Sequence, residues 1–215
     1  NIGGLRKVFM GQNYRPEWNT AVNMPVLNIR KENGGMTIVS LGGDPQSTSL
    51  RMKDRSGKEW TLRAVNKNLT KILPQTEQGS FVKATVAAYN TASFPYAALI
   101  TPSLAAALGL QTPHPRLFFV PDDPAFGYYR KLFADRVCTL EEREPSADGK
   151  NTFSTAKVFT KMIDENDHRP VQQEALKARL LDMVIGDFDR HFDQWKWSIT
   201  DTGKGRLYIP IPKGR

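Results

Sequence analysis

Residues 186–195 place three carboxylates (Asp187, Asp189, Asp193), Arg190, His191 and the amide of Gln194 within ten positions. Carboxylates this close repel one another, and a fold keeps them together most readily when a cation is bound among them. A hard metal ion carrying a phosphate is the natural occupant, because magnesium is commonly held by one or two carboxylates plus phosphate oxygens. Two other arrangements fit the same residues. The acids could cap a helix and pair with Arg190 and Lys196. Alternatively, Asp187, Asp189, His191 and Asp193 could lie at period two on an extended strand, all aimed at a metal for phosphoester hydrolysis.

The elements around the cluster limit the choice. Upstream, Leu176, Leu180, Met183 and Val184 recur at i, i+4, i+7 and i+8, which predicts a helix with this stripe packed on a core. Pro170 suits its first turn and Gly186 its end. Downstream, residues 195–199 and 206–211 read as a hairpin around the turn 201–205. A helix stop directly before the cluster disfavours the extended-strand arrangement.

Further upstream, residues 36–41, 49–53 and 59–65 read as strands, with a turn at 54–57. Trp60, Leu62 and Ala64 share one face of the third. Residues 81–108 are alanine-rich and helical in propensity. Pro95 and Pro102 are expected to break them into short helices, with Gly109 as a stop. Residues 116–120 and 136–140 are two more strands, and 146–152 a connector. The expected fold class is α+β with two lobes: residues 1–145, sheet-rich with inserted helices, and residues 146–215, the start of a helical lobe.

Composition sets broader bounds. The 215 residues carry a formal net charge of +8, which suits phosphate-bearing or acidic partners. The basic residues are scattered, so a nucleic-acid interface is not expected. No apolar run reaches the roughly 18 residues of a membrane-spanning helix, and no signal peptide opens the chain. Cys138 is the sole cysteine, which excludes an internal disulfide and a cysteine-rich zinc site. His114 and His168 are expected to be exposed, and the four tryptophans to fill cores. A start without Met suggests a processed chain or a piece of a larger protein.

Helix, acidic loop and hairpin occur in the order found around a protein-kinase catalytic loop, where one Asp accepts the proton of the attacking hydroxyl and a side chain five residues later holds magnesium. Asp189 takes the base position and Gln194 falls five residues on. The tripeptide Asp189-Arg190-His191 resembles the atypical kinase-like group that includes HipA, the spore-coat kinases and the secretory-pathway casein kinases. Gly11-Gln12-Asn13-Tyr14-Arg15-Pro16-Glu17-Trp18, Ser49-Leu50-Arg51 with Leu62-Arg63, Phe94-Pro95-Tyr96-Ala97-Ala98-Leu99, Val120-Pro121-Asp122-Asp123-Pro124, Leu140-Glu141-Glu142-Arg143 and Ala178-Arg179-Leu180 through Trp197 add a second likeness. Together they resemble a segment of large bacterial cell-envelope proteins, lying between a metallophosphoesterase domain and a surface-antigen outer-membrane β-barrel.

These resemblances imply an ATP- and Mg2+-dependent kinase-like domain within a larger envelope protein, with neighbouring domains as partners. Asp189, Arg190 and His191 would form the catalytic loop, and Gln194 with Asp193 would meet the metal. Gly42 and Gly43 would open the phosphate-covering loop. Arg63, or Lys67 four residues on, would contact phosphate. Glu141 and Glu142 would lie at the hinge that meets adenine, and Glu77 is the one candidate partner for Arg63. The acidic residue expected on the strand after the hairpin does not occur before Arg215, so this segment is expected not to turn over by itself. A non-catalytic structural or binding module and a metal-dependent phosphoesterase remain as alternatives.

Overall fold

The computed structural model describes residues 11, 13–42, 48–66, 94–146, 152–188 and 190–213. The chain is an α+β protein that divides into two compact units. The first comprises Asn1–Ala97 and Arg116–Leu140, the second Ala98–Pro115 and Glu141–Arg215. The division falls close to the expected boundary at residues 145 and 146, but the segment Ala98–Pro115 belongs with the second unit rather than with the sheet-rich first.

In the first unit, after a short helix α1 (Arg15–Asn19), five strands form one sheet: β1 (Met36–Gly42), β2 (Ser49–Asp54), β3 (Glu59–Ala64), β4 (Arg116–Val120) and β5 (Arg136–Glu142), in the order β1-β2-β3-β5-β4. Alternation puts Leu50 and Met52 of β2, and Trp60, Leu62 and Ala64 of β3, on one buried face. That face packs with Leu27, Ile29, Phe118, Val120, Phe126, Phe133, Cys138 and Leu140 into a single core. Full burial of a side chain such as Leu62 is worth about 1.5–3 kcal/mol. Asp54 closes the β2–β3 turn by accepting from the Ser56 and Lys58 amides at 2.9 and 3.0 Å and from Trp60 Nε1 at 2.8 Å. Gly57 supplies the positive φ of +86°. The 3-10 turn Pro124–Tyr129 and the helix α3 (Arg130–Phe133) follow β4. Burial drives the Cys138 thiol up to about 12, so this sulfur is a core side chain and not a nucleophile.

The second unit contains α2 (Ala97–Ala107, of which Ala97 is counted with the first), α4 (Thr155–Asp164), α5 (Gln172–Ile185) and a four-stranded sheet in the order β6-β8-β9-β7. Its strands are β6 (Phe153–Ser154), β7 (Arg169–Pro170), β8 (Trp195–Asp201) and β9 (Arg206–Pro212). The predicted hairpin is β8–β9, in register from Trp195↔Pro212 to Asp201↔Arg206. A methyl group on Gly205 would collide with the backbone of Asp167, so this position requires glycine for close approach.

Three expectations are corrected here. Pro102 does not break the alanine-rich stretch: α2 runs through it to Ala107. Only one turn of helix precedes Pro102, so its missing N–H removes a single early bond. Gly109, with φ +71°, then ends the element as expected. Pro170 does not open a helix. It lies in β7 beside Tyr208, on a sheet edge where a missing N–H is tolerated, and α5 starts at Gln172. The expected core stripe of α5 is the exposed one, with Leu176 60%, Leu180 51%, Met183 70% and Val184 82% accessible. The helix is apolar on two faces. Ala178 and Leu181 pack with Ala105 and Leu110, and Asp182 is drawn inward by an arginine described below.

Candidate functional site

Gly186 ends α5 in the left-handed conformation, φ +72°, and the Asp187 amide donates to the Asp182 carbonyl at 2.8 Å. The chain then turns through Arg190 into the 3-10 turn Phe192–Gln194 and enters β8 at Trp195. No strand forms at 192–194, so the period-two metal arrangement for phosphoester hydrolysis lacks the backbone it requires.

Arg190 organises this loop. Its side chain has no exposed surface; Nη2 lies 2.8 Å from Asp187 Oδ2 and Nε 3.2 Å from Asp182 Oδ2. Nη1 donates to the Gln194 carbonyl at 3.2 Å and also to the Lys213 carbonyl, which ties the loop to the end of the hairpin. The guanidinium stacks over Trp195, 5.4 Å from the ring centroid. Asp182, 1% exposed, also accepts from Arg179 Nη1 at 2.9 Å. Burial lowers the Arg190 pKa; the Asp187 charge opposes that shift and Arg179 adds to it. With every direction of its fork committed to the protein, Arg190 holds the loop in shape and does not reach out to a substrate.

Gln194 is fixed through its backbone. Its amide donates to the His191 carbonyl at 3.1 Å, and its carbonyl accepts from the Lys213 amide at 2.8 Å. Its side-chain Oε1 is buried and has no hydrogen-bond partner among the described residues. A neutral oxygen in that condition is suited to receive a cation. Asp193 and His191 are exposed beside it. Asp189, between the anchored Asp187 and Arg190, lies outside the described residues, as do Gly43, Lys67 and Glu77. Among the described residues no group of three or more His, Cys, Asp or Glu could hold a metal.

The other candidates fall on the two units separately. In the first, Gly42 ends β1 opposite Ser49 of β2, and Ser49 stands opposite Arg63 of β3, so Gly42 and Arg63 lie level across three strands. Thr139 Oγ1 donates to the Arg63 carbonyl at 3.5 Å. Ser49, expected to end the phosphate-covering loop, shares a face of β2 with Arg51, as alternation along 49–53 requires. In the second unit, Glu141 is buried and lines a small cleft with Thr101, Thr112, Pro212 and Lys213, while Glu142 is half-buried. His114 is exposed as expected. His168 is not: it is 6% exposed, with Nδ1 2.8 Å from the Tyr208 hydroxyl and Nε2 3.0 Å from Glu165 Oε2. The adjacent β7–β9 pairing brings it against Tyr208, and the charged neighbours that suggested exposure include its partner.

Glu144 steadies the floor of the second unit. Burial pushes its carboxyl up, but hydrogen bonds from the Thr152 hydroxyl and amide and the charges of Lys196 and Lys213 outweigh that, and the net shift is downward. A lowered folded-state pKa stabilises the protein above the unfolded-state value, and the contribution disappears as pH falls through the folded one. We therefore expect Glu144→Gln to be less stable than wild type near neutrality and to converge with it on acidification below about pH 4, the ordinary carboxylate range. Thermal melts across that interval measure it, and a gap that persists at low pH would exclude this linkage.

Neither a protein-family model, nor a curated protein, nor a solved structure matches the chain.

Proposed function

We propose that the chain is a kinase-like phosphotransferase domain that binds a nucleotide with magnesium. The single observation that carries this reading is Gln194. Its buried Oε1 lacks a partner among the described residues and stands at the end of a loop clamped by Arg190, between a helix and an antiparallel hairpin. Magnesium retains water and takes one or two carboxylates plus phosphate oxygens. Gln194 with Asp193 therefore forms a sufficient protein share of such a site without a cage of acids. Asp189 would receive the acceptor's proton, and Arg190 and His191 would shape the loop that presents it. Gly42 and Gly43, with Arg63 or Lys67, would meet phosphate. Glu141 and Glu142 would border the base, and the bound nucleotide would supply the phosphoryl group.

The bare apolar face of α5 supports a helical lobe that further polypeptide completes, since a helix apolar on two faces is ordinarily buried on both. An envelope location, with neighbouring domains of a larger protein as partners, belongs to the same proposal and rests on the resemblance alone. Arginine in place of lysine at position 63 favours a second reading, a non-catalytic module that binds nucleotide without turnover, because a guanidinium does not reproduce a compact ammonium.

Gln194→Ala separates the metal role from a structural one. It should weaken magnesium-dependent nucleotide binding by roughly tenfold, equivalent to ~1.4 kcal/mol, while metal-free binding and melting temperature stay close to wild type. An unchanged magnesium dependence would remove Gln194 from the site and the main support for this function.

A further inference from the structure

We propose that Thr155 is a positioning residue for the acidic loop: its hydroxyl, on the first residue of α4, fixes the peptide unit from which Asp193 and Gln194 follow. The tie stands on geometry, and its bearing on magnesium rests on the phosphotransferase reading.

The second sheet brings Thr155 to the loop. β6 pairs with the start of β8, Phe153 opposite Trp197 and Ser154 opposite Lys196. Ser154 then caps α4 by accepting from the Lys157 amide at 3.3 Å, so Thr155 opens the helix close to where the loop enters β8. Thr155 is 7% exposed. Trp197 Nε1 lies 3.0 Å from its Oγ1, and an indole N–H can only donate. Oγ1 therefore accepts from Trp197, which leaves its single proton for the Phe192 carbonyl, 2.8 Å away. A β-branched side chain is stiff at χ1, so the hydroxyl is delivered with little rotamer freedom to lose.

The Phe192 carbonyl also accepts from the Trp195 amide. A peptide unit is planar, so fixing this oxygen fixes the Asp193 nitrogen and Cα with it. Gln194 comes next, its amide held by the His191 carbonyl at 3.1 Å. Arg190 anchors the loop to α5 and to the end of the hairpin, and Thr155 adds an anchor from α4. The buried Gln194 Oε1, unpartnered among the described residues, is thus two residues beyond a peptide fixed from a second helix.

The test compares Thr155→Val, which keeps the shape and removes the hydroxyl, with Thr155→Ser, which keeps the hydroxyl. Thr160→Val is the control, because the Thr160 hydroxyl bonds within α4, to the Ala156 carbonyl at 3.2 Å. Amide hydrogen exchange of Gln194 and Trp195 reads the turn without any ligand. Exchange in β9 reports the stability of the whole unit, so only a change confined to the turn counts. Calorimetric titration of ATP with and without magnesium reads the site. In Thr155→Val both amides should exchange up to about tenfold faster, the effect of one lost hydrogen bond. The tightening of ATP by magnesium should fall by a similar factor, while ATP alone binds as before. Thr155→Ser should restore both readouts, and Thr160→Val should alter neither. Wild-type exchange at the turn in Thr155→Val would overturn the tie, and so would a loss that Thr155→Ser does not rescue. Faster exchange with unaltered magnesium dependence would overturn the positioning role and leave the phosphotransferase reading standing. No ATP bound by the wild type would remove that reading and the role at the metal, and exchange would then decide the tie by itself.

Discussion

Arg190→Ala should destabilise the second unit by about 3–5 kcal/mol, the range for breaking a buried ion pair by removing one partner. The substitution takes from Asp182, 1% exposed, its buried counter-charge and leaves it beside the half-exposed Arg179. It also takes the Nη1 donor away from the Gln194 and Lys213 carbonyls, which weakens the tie between the acidic loop and the hairpin. Urea unfolding followed through Trp195 and Trp197, which stack at 6.1 Å, would report the loss. Arg190→Met combined with Asp182→Leu should recover part of it, because the uncompensated charge goes with the arginine. Near-wild-type stability of Arg190→Ala would mean that the ion pair does not organise the loop.

Under the proposed phosphotransferase reading, Asp189→Asn should lower phosphoryl transfer from Mg-ATP by about 10²–10⁴-fold, the usual contribution of a general base. Asparagine keeps the volume and removes the acceptor of the proton. Nucleotide binding should therefore persist, and the effect should appear in kcat rather than in KM. Wild-type transfer by the variant would exclude Asp189 as the base. Its neighbours Asp187 and Arg190 pair with each other, and both bond to Asp182 of α5.

The strands were legible because alternation is a local property. Leu50 and Met52, then Trp60, Leu62 and Ala64, declare one buried face in a few residues each, and Asp54 with Gly57 declares the turn between them. The face that α5 buries was not legible. Its leucines and methionine predict amphipathicity, but the buried side is chosen by Ala178, small enough to meet Ala105, and by Asp182, which enters the interior because Arg190 arrives from eight residues downstream. Nothing in local periodicity reports a partner that distant. His168 was misread for the same reason: Tyr208 lies forty residues on and reaches it only through the β7–β9 pairing. Within the candidate site, residue types and spacing pointed to Asp189, Arg190 and Gln194. The division of labour needed coordinates, with Arg190 spent entirely on architecture and Gln194 left with an unpartnered oxygen.

Calorimetric titration of ATP with magnesium into the folded chain tests the central claim most directly. The account predicts saturable binding near one nucleotide per chain, tightened by magnesium and weakened by Gln194→Ala. No binding by a chain that is folded under the same conditions would contradict it and leave an α+β protein without a nucleotide site.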